Sequence, residues 1–187
     1  MLTTLPNLLT VSRILAIPLI VGMFYVDGPG ARWVACLLFV AAAITDFFDG
    51  YFARRRNSIS SLGRFLDPIA DKLLVGASLL MLTAFNGVTR ISVLPAVVIM
   101  LREILVSGLR EFLAELRVGV PVSRLAKWKT GIQMTAIPML LVGDAAPAWI
   151  PAQGVGEICL WLAALLTLIT GWDYLQAGLK HMAEQPS

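Results

Sequence analysis

An all-α membrane protein of six transmembrane helices is the fold class this sequence predicts, on three observations. Of its 187 residues, 58% are hydrophobic and only 14% are charged, and mean hydropathy is +0.80, where a soluble domain of this size is far more polar. Apolar runs of about 20 residues recur at 8–25, 34–52, 65–85, 91–113, 125–142 and 158–179, each long enough to cross roughly 30 Å of hydrocarbon. The connections are too short to hold a soluble domain. The chain therefore reads as one membrane domain, 1–187, whose functional groups lie in the helices or at their ends.

The first run lacks a basic stretch ahead of its apolar core and an evident small-residue cleavage site, so it reads as a helix and not a signal peptide. Pro6 and Asn7, followed by Thr10 and Arg13, predict a short interfacial segment leading into it. Arg54, Arg55 and Arg56 follow the second run, and Arg64 precedes the third. Pro68, between Asp67 and Asp71, reads as the first-turn proline of a helix capped by Asp67. Pro18, Pro95 and Pro138 fall within apolar runs and predict kinks whose freed carbonyls find neighbours. A second basic cluster, Arg117, Arg124, Lys127 and Lys129, follows the fourth run, and Lys180 follows the sixth. Those ends are expected on the cytoplasmic side. The opposite connections carry only Arg32 and Arg90 among Gly, Pro and Ala turn signals. An even number of spans puts both termini inside.

Cys36 and Cys159 lie in apolar runs, where a thiol acts as a small hydrophobe. His181 is the only histidine and sits in the polar C-terminal tail, a poor place for a catalytic base. Trp33, Trp149, Trp161 and Trp172 fall near span ends or faces and read mainly as interfacial anchors.

Four carboxylates need a different explanation. Asp46 and Asp49, three apart, share a helical face, and Asp67 and Asp71 do so at four apart. If both pairs converge on one point, about four like charges repel severely unless divalent cations sit between them. This reads as a two-metal site of hard oxygen ligands, of the kind that suits Mg2+. A buried ion-pair network with Arg54, Arg64 and Lys72 is the structural alternative, although ionisable residues within a membrane are functional by default. Gly50 and Gly63 remove side chains, so a ligand can approach the backbone there. Ala53 is small on the same face as Gly50, and Arg54 offers a fork of donors to an anion. Asp46 lies about 12 Å of helix rise from Arg54, which predicts a polar cavity just inside the cytoplasmic interface.

Written as spacing, residues 46–71 read D-x2-D-G-x2-A-R-x8-G-x3-D-x3-D. This resembles the signature of the CDP-alcohol phosphotransferase family at every defined position. The resemblance implies six transmembrane helices, usually in a homodimer, around a cytoplasm-facing polar cavity. It implies Mg2+ or Mn2+, two ions per site, held by Asp46, Asp49, Asp67 and Asp71, and a CDP-linked lipid donor bound by Asp46, Asp49, Gly50, Ala53, Arg54, Gly63 and Asp67. Asp71 is then the expected base that deprotonates the acceptor hydroxyl.

For the acceptor, Arg102-Glu103, Arg110-Glu111 and Lys127-Trp128-Lys129-Thr130, with the opening Asn7-Leu8-Leu9-Thr10 and Arg13, resemble the members of that family that use glycerol 3-phosphate. Arg102 and Arg110, eight apart, lie roughly on one helical face. With Lys127 and Lys129 from the next helix, they suit a dianionic phosphate. Glu103 and Glu111 are candidates for orienting the arginines or binding acceptor hydroxyls.

The expected reaction is metal-assisted phosphatidyl transfer from CDP-diacylglycerol to glycerol 3-phosphate, with release of CMP. The expected surroundings are membrane lipids of a bacterial inner membrane, with the site facing the cytoplasm and no nucleic-acid partner. The alternatives are a sibling enzyme that makes cardiolipin or uses an inositol phosphate, or a cation transporter.

Overall fold

The computed structural model describes residues 5–56, 61–115 and 124–183. Among them the architecture is entirely helical, with six α-helices: α1 (Leu5–Met23), α2 (Pro29–Arg56), α3 (Ser61–Ala84), α4 (Val93–Glu115), α5 (Arg124–Val142) and α6 (Ala152–Ala183). Two stretches, Arg90–Ala114 and Ala152–Gln176, are long and apolar enough on their own to cross a membrane, and Leu8–Met23 and Pro29–Thr45 are shorter apolar helices. The charges of the aspartate motif interrupt the apolar runs of α2 and α3, which remain continuous helices.

The chain divides into two compact units, Met1–Val88 with Ile137–Gly156, and Thr89–Ala136 with Glu157–Ser187. In the first, α1 packs against α2 and α3. Ala35, Phe39 and Ala42 of α2 and Ala70, Leu74, Leu79 and Leu82 of α3 are buried, each series at helical spacing along one side. Leu37 and Ile44, and Leu73 and Leu80, are exposed on the other sides. α3 ends in a Schellman closure: Asn86 takes φ 55 and the Gly87 amide donates to the Leu82 carbonyl at 2.7 Å, satisfying a carbonyl that the helix would otherwise orphan.

Close helix approach in this unit depends on Gly156 of α6. A Cβ there would stand 2.7 Å from Leu140 Cγ and 3.1 Å from the Leu140 backbone nitrogen. Alanine would gain about 1 kcal/mol of helix propensity, but the clash includes backbone, and overpacking costs about 1–3 kcal/mol. Gly156→Ala is therefore expected to lower the thermal midpoint of the purified protein. Gly154→Ala, two residues earlier where a Cβ meets nothing within 4 Å, should not.

In the second unit, Ala96, Ile99, Val106 and Leu113 of α4 and Leu160, Ala163, Thr167 and Tyr174 of α6 are buried. The start of α4 is tied to α6 by one carboxylate. Glu157 accepts from the Thr89 amide at 2.9 Å and from the hydroxyls of Thr89 and Ser92, both at 2.7 Å.

Three expectations are corrected. Pro68 lies inside α3, whose helix begins at Ser61, so Asp67 is a mid-helix residue and not an N-cap; the helix tolerates the lost bond to the carbonyl of residue 64. Thr10 and Arg13 belong to α1 itself, which runs unbroken from Leu5, with Pro6 in the first turn where its missing amide costs nothing. Pro95 is the third residue of α4, again a first-turn position, and makes no kink.

Candidate active site

In the first unit, α2 continues as one helix through Arg56. Helical spacing sets Asp46, Asp49, Gly50 and Ala53 along one side, with Arg54 at its edge; the side chains of residues 46–56 lie outside the described residues. On α3, Gly63 is buried, and Asp67 and Asp71 follow, both half-buried. Among the described residues no group of three or more His, Cys, Asp or Glu side chains forms a metal cluster.

Asp67 is held from α1. Thr10 Oγ1 donates to Asp67 Oδ1 at 2.9 Å, and Arg13 Nη1 lies 3.6 Å from the same oxygen. The Arg13 side chain is 0% exposed, while 41% of that of Asp67 remains accessible. A fully desolvated guanidinium is costly unless an anion faces it, so the pair fixes α1 against α3 as well as orienting the carboxylate. The result is a carboxylate steadied on one oxygen and still open to solvent, a donor whose chemistry would fit a divalent cation of the Mg2+ type. Thr10→Val removes one donor of about 1 kcal/mol. It is expected to reduce turnover by about fivefold while a melting curve stays cooperative.

The second unit gathers charges around Glu103. Its Oε1 accepts from Arg102 Nη1 at 3.3 Å and from Lys129 Nζ. The side chains of Arg102, Lys129 and Glu103 are 11%, 7% and 22% exposed. Arg102 Nη2 donates to Thr170 Oγ1 at 3.1 Å, and that hydroxyl donates onward to the Leu166 carbonyl at 2.8 Å. The Tyr174 ring centroid is 6.0 Å from the guanidinium carbon. Gly171 makes room for the arginine stem, since a Cβ there would lie 3.1 Å from Arg102 Cγ.

Of the four basic residues expected to meet a phosphate, the structure thus joins Arg102 and Lys129. Lys127 and Arg110 are exposed and contribute no hydrogen bond or ion pair to this cluster. Two residues apart on α5, Lys127 and Lys129 point to different sides of the helix. Lys127 instead borders an apolar groove with Trp128, Gly131, Ile132, Thr135 and Cys159. Thr10 and Arg13 carried part of the family resemblance, but their contact with Asp67 escaped sequence reasoning. Thr170 and Tyr174 were missed altogether, and their only sequence signal was polarity within an apolar run.

The model of the CDP-alcohol phosphatidyltransferase family matches residues 3–169. The chain belongs to that family. Curated relatives named CDP-diacylglycerol-glycerol-3-phosphate 3-phosphatidyltransferase match along nearly all of it. The Rickettsia bellii protein is 54% identical over 177 residues, covering 95% of this chain and 96% of the relative. The Cereibacter sphaeroides protein is 39% identical over 217 residues, 97% and 98% of the two. A chloroplastic and mitochondrial relative from Arabidopsis thaliana is 41% identical over 165 residues, covering 82% of this chain and 56% of its own length. In this CDP-alcohol phosphatidyltransferase the aspartate motif, Arg102, Glu103 and Lys129 all fall within the matched span, and Thr170 and Tyr174 lie just beyond it.

Proposed function

We propose that this chain transfers the phosphatidyl group of CDP-diacylglycerol to glycerol 3-phosphate, giving phosphatidylglycerophosphate and CMP. The observation that carries the reading is likeness over nearly the full length to relatives whose names specify that donor and that acceptor. Two largely desolvated cations on one carboxylate, Arg102 and Lys129, support an acceptor that is itself a phosphate.

Asp46, Asp49, Asp67 and Asp71 would hold Mg2+ or Mn2+, two ions per site, which when bound neutralise charge on the donor pyrophosphate and on the departing CMP. Thr10 and Arg13 orient Asp67 for that task. Gly50, Ala53, Arg54 and Gly63 give the cytidine and its phosphates access to the backbone and one fork of donors. Asp71 takes the proton of the acceptor hydroxyl as its oxygen bonds to the phosphatidyl phosphorus and the bond from that phosphorus to the CMP oxygen breaks. Arg102 and Lys129 bind the acceptor phosphate, with Lys127 and Arg110 adding positive charge further out.

The setting we propose is a multi-pass protein of the bacterial cytoplasmic membrane, one domain per chain, with its site on the cytoplasmic side and a homodimer as its assembly. In support, α4 exposes Leu94, Leu101, Ile104 and Leu105, and α6 exposes Ile158, Leu162, Leu165 and Leu168, apolar faces that suit lipid better than water.

The test is CMP release from CDP-diacylglycerol by purified protein offered glycerol 3-phosphate, phosphatidylglycerol or inositol phosphate, repeated after chelation. Release with glycerol 3-phosphate alone, lost on chelation and restored by Mg2+ or Mn2+, is expected. Preference for another acceptor would refute the assignment.

A further inference from the structure

We propose that Glu103 is a built-in competitor for the acceptor phosphate: its carboxylate occupies Arg102 and Lys129 while the site is empty and must yield or share them when the phosphate arrives. The inference rests on the reading above that this cluster takes the acceptor.

Both cations fall on the same oxygen, Oε1, as they would on one oxygen of a phosphate. Each is nearly buried, and two desolvated like charges brought together repel unless an anion sits between them. Glu103 supplies that anion within the fold, and it is the most exposed of the three, so it lies where an incoming ligand would meet the cluster. The two cations differ in freedom. Arg102 is braced on its far side by Thr170 and by the space at Gly171. Lys129 carries three donors on a flexible stem, so it is the one able to turn from carboxylate to phosphate. When product leaves, Glu103 recaptures both cations and opposes rebinding. Such a residue weakens phosphate affinity and speeds release; it positions and competes without touching the reacting atoms.

Glu103→Gln keeps the shape and an accepting oxygen but removes the charge. Charge-assisted bonds are about twice as strong as neutral ones, so the variant is expected to show about tenfold lower KM for glycerol 3-phosphate with a lower kcat. Inorganic phosphate should inhibit it at about tenfold lower concentration and should raise its thermal midpoint at concentrations that leave the unaltered protein unmoved. Glu103→Asp, whose shorter carboxylate reaches Lys129 less well, should shift the same way by less. A raised KM with unchanged phosphate inhibition in Glu103→Gln overturns the proposal, because a residue that only braces the cations would behave so. Loss of folded protein in both variants even with inorganic phosphate present also overturns it, since phosphate should then replace the anion that Glu103 supplies. The unaltered protein run alongside separates the two readings. If it does not turn over glycerol 3-phosphate, the acceptor assignment fails, and the role of Glu103 is then decided by the phosphate-induced thermal shift alone.

Discussion

Replacing Asp67 by Asn is expected to cut CMP release by about 10²- to 10³-fold, the scale seen when one preorganised electrostatic contact is removed from a reaction that develops charge. Asparagine keeps the shape and can still accept from Thr10, so the helix contact survives. What disappears is the negative charge, and it has two dependants. The divalent cation we propose loses a hard ligand, and Arg13, 0% exposed and 3.6 Å away, loses its counter-ion. Breaking a fully buried pair costs about 3–5 kcal/mol; with much of Asp67 open to solvent, about 1–3 kcal/mol is expected here. Turnover across a Mg2+ or Mn2+ titration, together with thermal melting, checks both effects. Near-normal turnover at saturating metal would remove Asp67 from the site.

Lys129→Met should act on the acceptor in the second unit. Truncating one partner of a buried charged pair typically costs 2–5 kcal/mol or more, so KM for glycerol 3-phosphate is expected to rise by about 10²-fold or more, with KM for CDP-diacylglycerol little changed. Methionine preserves most of the buried stem, which confines the effect to the ammonium group. Lys127→Met is the control. That lysine is exposed beside an apolar groove, and exposed charges contribute about 0–1 kcal/mol, so KM should move by no more than about fivefold. Steady-state kinetics with each substrate varied in turn distinguishes them, and equal effects of the two substitutions would contradict the geometry.

The order of the helices was legible because apolar runs long enough to be helices are separated by glycine, proline and clusters of arginine. Each expected run overlaps an observed helix. The errors came where one residue type serves two local structures. Proline is at home in a first turn but is also tolerated inside a helix when neighbours compensate. Pro68 and Pro95 were each assigned the role that the other holds. The aspartate motif was readable because its spacing lies within one window. The contact of Thr10 with Asp67 spans 57 positions and has no trace in spacing. Lys127 and Lys129 were grouped by charge, though two residues apart on a helix they point in different directions. Glu103 stood next to Arg102 in the sequence, but that a lysine 26 positions later shares its oxygen is a property of packing alone.

With Asp67 in the role we propose, the grip of α1 on it would make that helix part of the reaction apparatus. The polypeptide from α2 to α3 holds every acidic group of the motif, yet the steadying of one of them is borrowed from a helix 57 positions away. A protein stripped of those opening turns would keep its signature and lose its aim. Equally, the motif transplanted alone into another scaffold would lack what points it.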